Sequence, residues 1–172
     1  GITRIAWTVY GKIDSIYKSN DTVISYRYDA GGNRILKKVN NSETIYVRDA
    51  SGNVISTYTY DSAGLFQREV HLYGSSRVGL QQMAVNLSDP EPENLKTVGT
   101  ITGKGRIFER GNKFFELTNH LGNVLVVVSD RKRPVANTGN PALVSRYQPV
   151  VLSAQDYLSF GMQMPGRVFS SG

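Results

Sequence analysis

The chain has no cysteine, which removes disulfides, thiolate metal sites and a cysteine nucleophile from consideration but leaves the compartment open. No apolar run reaches the roughly 18 residues that a membrane-spanning helix needs, so no transmembrane segment is expected. Histidine is scarce: His71 and His120 are the only two, and neither has a His, Asp or Glu at ligand spacing. No metal site and no cofactor follow from such a set. Ser159, although followed by Phe160 and Gly161, has no histidine after it and is not a nucleophile elbow. The stretch Gly99 to Gly105 lacks the spacing of a phosphate loop and the Ser or Thr after its lysine, and reads instead as a hairpin. The opening Gly1-Ile2-Thr3-Arg4 does not have the succession of regions that marks a secretory leader, so Gly1 is expected to lie inside a longer protein.

Acidic residues are outnumbered, 14 against 20 Lys and Arg, giving a formal charge of +6. Lys37, Lys38, Arg131, Lys132 and Arg133 all sit beside turns, where charges are solvated, and no nucleic-acid partner is expected from them. Hydrophobic residues make up 40% of the 172, which is enough apolar material to exclude wholesale disorder. A chain of this length is one domain or a segment of a longer repeat array. Its 17 Gly and 10 Tyr favour turns and strands, and no helical periodicity stands out.

A pattern recurs. Tyr26 to Tyr28 alternates into Asp29-Ala30-Gly31-Gly32-Asn33, and Arg34 to Val39 alternates out. The same arrangement returns around Asp49-Ala50-Ser51-Gly52-Asn53, and more loosely at Asn119-His120-Leu121-Gly122-Asn123. Gly and Asn accept the positive backbone dihedral of a tight hairpin, and a preceding Asp accepts hydrogen bonds from the turn amides. Gly11, Gly32 and Gly52 recur at nearly equal intervals, too short to hold a crossover helix, so antiparallel pairing throughout is predicted. Strands are expected at 22–28, 34–39, 44–47 and 54–60, with a further turn at Asp61 to Gly64. Beyond Gly74 the pattern loosens through Leu80-Gln81-Gln82-Met83. Ser88 to Asn94, with its two prolines, is expected to be an exposed acidic loop. Strands are expected again at 98–101 and 106–109 around a Gly103-Lys104-Gly105 turn, then at 113–118, 123–129 and 144–152, with a loop over 130–141.

Three residue groups carry a family resemblance. Tyr28-Asp29-Ala30-Gly31-Gly32-Asn33-Arg34-Ile35 resembles the tyrosine-aspartate repeat of Rhs proteins. The stretches Asn119-His120-Leu121-Gly122-Asn123-Val124 and Phe160-Gly161-Met162-Gln163-Met164-Pro165-Gly166-Arg167 resemble the Rhs-associated core segment. The resemblance implies hairpin repeats over 1–73, irregular repeats with the acidic loop over 74–112, and the core segment over 113–172. It also implies an all-β fold of antiparallel strand-turn-strand repeats forming part of a spiralling sheet that closes into a hollow cocoon. The parent would be a large secreted or cell-surface bacterial protein of the polymorphic-toxin kind. Its partners would be its own remaining repeats, a C-terminal toxin cargo, and components of secretion or the envelope.

The expected site residues follow. Asp29, Gly32, Asn33, Asp49, Gly52, Asn53, Gly122 and Asn123 are structural turn residues. His120, Leu121, Phe160, Gly161, Met162, Pro165, Gly166 and Arg167 belong to the core-segment motif. Many Rhs shells resemble aspartyl self-proteases with an Asp-Pro-x-Gly motif, but here Leu158-Ser159 replaces the Asp and Pro. Asp156 is the sole, weak catalytic candidate, and no enzymatic activity is expected. The other reading is an adhesive module in which Tyr58 and Tyr60 stack on sugars.

Overall fold

The computed structural model describes residues 1–88, 95–98, 101–104 and 109–171. Its strands are β1 Ile2–Trp7, β2 Ile13–Lys18, β3 Val23–Tyr28, β4 Arg34–Val39, β5 Ser42–Arg48, β6 Val54–Asp61 and β7 Gly64–Tyr73. They continue as β8 Arg77–Asn86, β9 Leu95–Val98, β10 Ile101–Lys104, β11 Lys113–Thr118, β12 Val124–Ala136, β13 Val144–Tyr157 and β14 Gln163–Ser170. Twelve strands form one sheet in the order β1-β2-β3-β4-β5-β6-β7-β8-β11-β12-β13-β14, while β9 and β10 pair with each other. The fold is therefore all-β and antiparallel, as the turn spacing predicts. A three-residue 3-10 turn at Ser159–Gly161 is the only helical piece among the described residues.

The chain divides into two compact units. The first, Gly1–His71 with Met83–Arg106, is a meander of hairpins. Thr8 to Lys12, Asp29 to Asn33 and Asp49 to Asn53 close β1-β2, β3-β4 and β5-β6 by the same pair of main-chain bonds: the first residue donates to the fifth at 2.8–2.9 Å, and the glycine donates back to the first at 3.0–3.1 Å. Opposite hairpin ends are closed differently. Asp21 (φ 56) and Asn40 (φ 51) take the left-handed conformation there, and Asp61 faces Gly64 across a two-residue loop. One repeat is thus a wide turn, two strands and a narrow return turn, which is why the glycines recur so evenly.

The second unit, Leu72–Gln82 with Ile107–Gly172, contains β11 to β14 and the first part of β8. Gly79 of β8 faces Phe115 of β11, and a β-carbon there would stand 2.0 Å from the Phe114 carbonyl oxygen. Only glycine admits the two backbones at that separation. Arg77 ties the same strands together, its Nε donating to Glu116 Oε2 at 2.9 Å.

Several expectations change. Leu80-Gln81-Gln82-Met83, expected to be irregular, lies within the ten-residue β8; its adjacent polar pair points to opposite faces, which a strand not sunk in a core allows. Gly103 and Lys104, expected to be a turn, face Lys96 and Leu95 on paired strands, and Val98 and Ile101 end separate strands. The loop expected from Asp130 starts only after Ala136, because β12 runs on through Pro134. That proline is tolerated because the pairing of β12 with β11 stops at Ser129, leaving β13 as its recorded neighbour, and a strand paired on one side has amides that need no ladder partner. Residues 89–94 of the acidic loop and 105–108 lie outside the described residues.

Among the described residues no apolar side chain is fully buried; the buried side chains are Ser15, Ser56, Thr57, Gln67 and Ser129. Each is short or hydrogen-bonded. Ser56 Oγ donates to the Glu69 carbonyl at 2.7 Å and accepts Gln67 Nε2 at 3.0 Å. Isoleucine, valine and tyrosine side chains lie half-covered along cross-strand ladders such as Ile5–Ile16–Ile24–Val39.

Candidate functional site

The repeated turn is the most elaborated feature of the first unit. Asp29 Oδ1 accepts the Asn33 amide at 2.8 Å, and Asn33 Nδ2 reaches Oδ2 at 3.2 Å. Asp49 does the same with Asn53, at 2.8 and 2.9 Å, and also accepts the Ser51 amide at 2.9 Å. Donors converging on a carboxylate favour its charged form. The Asp29 carboxyl is accordingly held below its ordinary value, chiefly by the Asn33 amide, and that of Asp49 chiefly by the Asn53 side chain. These aspartates are turn closures, with Asn as the return donor.

Neighbouring turns touch. A β-carbon on Gly52 would lie 3.2 Å from Asn33 Nδ2, and one on Gly32 would lie 3.4 Å from Lys12 Cε. Arg48 joins two repeats: its Nε and Nη2 donate to the Arg34 carbonyl at 3.0 and 2.9 Å, and its Nη1 to the Gly52 carbonyl at 2.5 Å. The Arg34 guanidinium lies between the rings of Tyr26 and Tyr46, at 5.4 and 5.1 Å from their centroids. The Tyr28 hydroxyl donates to the Ile13 carbonyl at 2.8 Å. Tyrosines therefore join repeat to repeat through arginine as well as by hydrogen bonding. Sequence reasoning singled out the tyrosines but passed over Arg34 and Arg48, whose signal is an arginine directly flanking each turn motif.

Tyr58 and Tyr60 lie on one side of β6, opposite Gln67 and Leu65. Tyr58 OH accepts Gln67 Nε2 at 3.4 Å, whereas Tyr60 is 52% exposed. One ring is therefore offered to solvent and its neighbour is engaged.

The second unit repeats the turn twice. Asn119 replaces the aspartate, and its Oδ1 accepts the amides of Leu121 and Asn123 at 2.9 and 3.0 Å. Leu158 occupies the equivalent position in the β13-β14 hairpin: its amide donates to the Met162 carbonyl at 2.8 Å, and Gly161 donates to the Leu158 carbonyl at 3.2 Å. Here no side chain serves as acceptor, and Phe160 adopts φ 70, which costs a bulky L-residue roughly 1–2 kcal/mol. The Leu158-Ser159 replacement thus falls on a turn position. Met164 to Arg167 bulge out of β14 between the Gln155–Val168 and Tyr157–Gln163 pairs. Gly166 at φ 74 and Pro165 on a strand paired on one side fit such a bulge. Arg167 Nε grips Asp156 Oδ2 at 2.8 Å, so Asp156 stands opposite the bulge as an ion-pair partner. His120 sits at the tip of the Asn119 turn, exposed.

A groove of ≈ 490 Å³ is lined by Phe115, Asp130, Arg131, Lys132, Tyr147 and Pro149 among others. It forms where Ser129 to Arg131 of β12 loop out between the Val128–Val151 and Lys132–Pro149 pairs. Asp130 Oδ1 accepts the Gly111 amide at 2.6 Å, and Lys132 Nζ lies 5.8 Å from the Tyr147 ring centre. Among the described residues no three His, Cys, Asp or Glu gather where they could hold a metal ion, and no helix is long and apolar enough to cross a membrane.

Comparison of the sequence with protein-family models and with curated proteins gives no match. Among solved structures, the chain is similar to one in the crystal structure of TcdB2-TccC3-TEV, with a TM-score of 0.41 and 9% identity, over 93% of this chain and 10% of that one.

Proposed function

We propose that this chain is a wall segment of an Rhs-type shell, working by containment and without catalysis of its own. The observation that carries this reading is a sheet of hairpins, evenly repeated from β1 to β6, in which, among the described residues, no apolar side chain is fully buried. One repeat cannot bury its own face, so its stability comes from the next repeat and from whatever rests on the sheet. In this reading the half-covered Val, Ile and Tyr side chains, mixed with Ser, Thr and Gln, give the wall a surface that holds a polypeptide without fixing it in one fold. The partners are the remaining repeats of a longer secreted or cell-surface protein and a C-terminal cargo, with secretion or envelope components meeting the outside.

The test is limited proteolysis of the parent protein. The polypeptide following Gly172 is expected to resist protease in the intact parent and to become cleavable in a Gly32→Val, Gly52→Val variant whose turns cannot close. Equal cleavage in both proteins would reject containment. Self-cleavage is examined by incubating a protein extended beyond Gly172 across a range of pH: an intact product accords with Leu158 closing a turn and Asp156 being held by Arg167, and a cut chain would overturn the non-enzymatic reading. The adhesive reading draws on the exposed Tyr60 ring beside Tyr58. Glycan binding that disappears in Tyr58→Ala and Tyr60→Ala variants would favour it over containment.

A further inference from the structure

The basic residues around Arg131 do not sit where their composition suggests. Loop-like in sequence, Arg131, Lys132 and Arg133 stand on β12, and Arg146 stands on β13 opposite Val135. Pairing of β12 with β11 stops at Ser129, and β14 pairs with β13 between Ser153 and Tyr157. Residues 132–136 and 144–149 therefore form a two-stranded arm of the second unit, roughly 20 Å long, with Arg131 at its foot. No other strand is recorded beside the arm among the described residues, and all of its residues but Val135 and Gln148 are exposed. The sequence carries no Asp or Glu between Asp130 and Asp156. Among the described residues none of the four cations is held in an ion pair. Arg, Lys and Pro on an open strand keep it from pairing with a stray one, which accounts for Arg133 and Pro134. It does not account for the groove at the foot of the arm.

Phe115, Tyr147 and Pro149 give that groove of ≈ 490 Å³ apolar walls, and Arg131 and Lys132 line it beside them. Asp130 fixes the bulge that forms it by accepting the Gly111 amide at 2.6 Å. Arg131 is fixed as well: its Nε donates to the Arg110 carbonyl at 3.2 Å, and a β-carbon on Gly111 would stand 2.2 Å from that nitrogen. Lys132 Nζ sits 5.8 Å from the Tyr147 ring centre, and Tyr147 is 60% exposed.

We infer that the groove and arm bind an acidic polypeptide segment. One apolar side chain of that segment sits between Phe115, Tyr147 and Pro149, its flanking carboxylates meet Arg131 and Lys132, and Arg133 and Arg146 add to the positive field along the arm. Three observations select this occupant. The uncompensated positive charge is local to the arm, and charge complementarity selects an acidic partner. The apolar walls suit a desolvated side-chain anchor, for which a bare anion has no use. Single-stranded nucleic acid stacks its bases on successive aromatic rings, whereas the arm offers Tyr147 alone.

The test is fluorescence anisotropy of the full chain with a labelled peptide of Glu residues around one central Phe. The same peptide with Gln in place of Glu, and an oligo-dT of equal charge, serve as comparisons. Wild type is expected to bind the acidic peptide, less tightly as salt is raised, and at least about tenfold more tightly than either comparison. Lys132→Gln and Tyr147→Ser alter exposed side chains, so their melting points should match that of wild type while affinity falls by roughly fivefold each. Lys12→Gln removes the same charge from an exposed position of the first unit and should leave affinity unchanged. No binding of the acidic peptide by wild type, equal binding of the Gln peptide, or equal or tighter binding of oligo-dT would overturn the inference. So would equal losses in Lys12→Gln and Lys132→Gln, or full affinity in the Lys132→Gln, Tyr147→Ser double variant. Protease protection of a cargo is read separately, so either conclusion can fail without the other.

Discussion

Asp29 and Asp49 carry the clearest chemistry in single residues. Both carboxyls titrate below the ordinary 3.8 when folded, so on acidification the unfolded chain takes up the protons first. Their contribution to stability is complete above about pH 4 and is lost as the pH falls through the lower folded value. An Asp29→Asn, Asp49→Asn variant retains an acceptor of the kind Asn119 uses but has no charge to titrate. Its melting temperature should vary less with pH below about 4 than that of wild type. Identical acid profiles would mean that these turns do not titrate as described. Arg34 makes a second residue-scale case. Arg34→Ala removes a cation from between two tyrosine rings, with an expected loss of about 1 kcal/mol by denaturant unfolding; no change would show that the stack is incidental.

For the strands, the informative positions are those where backbones meet. Gly79→Val would drive a side chain into the Phe114 carbonyl across β8 and β11. A clash with main chain cannot be relieved by a rotamer change, so we expect a loss of about 3 kcal/mol or more. A loss below about 0.5 kcal/mol would contradict the pairing. Arg48→Lys separates shape from charge: lysine keeps the cation but cannot donate to the Arg34 and Gly52 carbonyls together. It should destabilise nearly as much as Arg48→Ala. The strand boundaries at 34–39 and 113–118 agree with those expected from the sequence, because each run is bounded by well-marked turns. The boundaries of β8 and β12 do not, because Gln81-Gln82 and Arg131-Lys132-Arg133-Pro134 imitate loop composition while pairing as strands. Composition reports solvent exposure, and a strand exposed on one or both faces resembles a loop by that measure.

The whole molecule has to reconcile a large sheet with little buried apolar surface. β1 pairs on one side only and leaves Ile2, Ile5 and Trp7 exposed. Such an edge is a template for further pairing. The chain alone is expected to associate with rising concentration, measured by light scattering, and an Ile5→Lys variant should do so less. Monomeric behaviour at all concentrations in both proteins would show that the edge is blunted in some other way. A chain lengthened by a further hairpin repeat should melt at higher temperature than this one, since each added repeat contributes an interface as well as its own strands.

Sequence alone determined the class of fold and the chemistry of its turns. An Asp-x-x-Gly-Asn group contains its own acceptor, its own left-handed residue and its own return donor, so it closes a hairpin wherever it occurs, and even spacing leaves antiparallel pairing as the outcome. It could not determine what the turns do to one another. The Arg34 stack, the Arg48 bonds to the Arg34 carbonyl and the ion pair of Asp156 with Arg167 join residues on different strands, and the approach of the Gly161 turn to Asn123 brings two turns together; all of these depend on register. Leu158 shows the division most clearly. As a sequence it is a motif lacking its aspartate; in the fold it is the first residue of a turn that closes on main-chain bonds alone, because the pairing of β13 with β14 holds the chain there without help from a side chain.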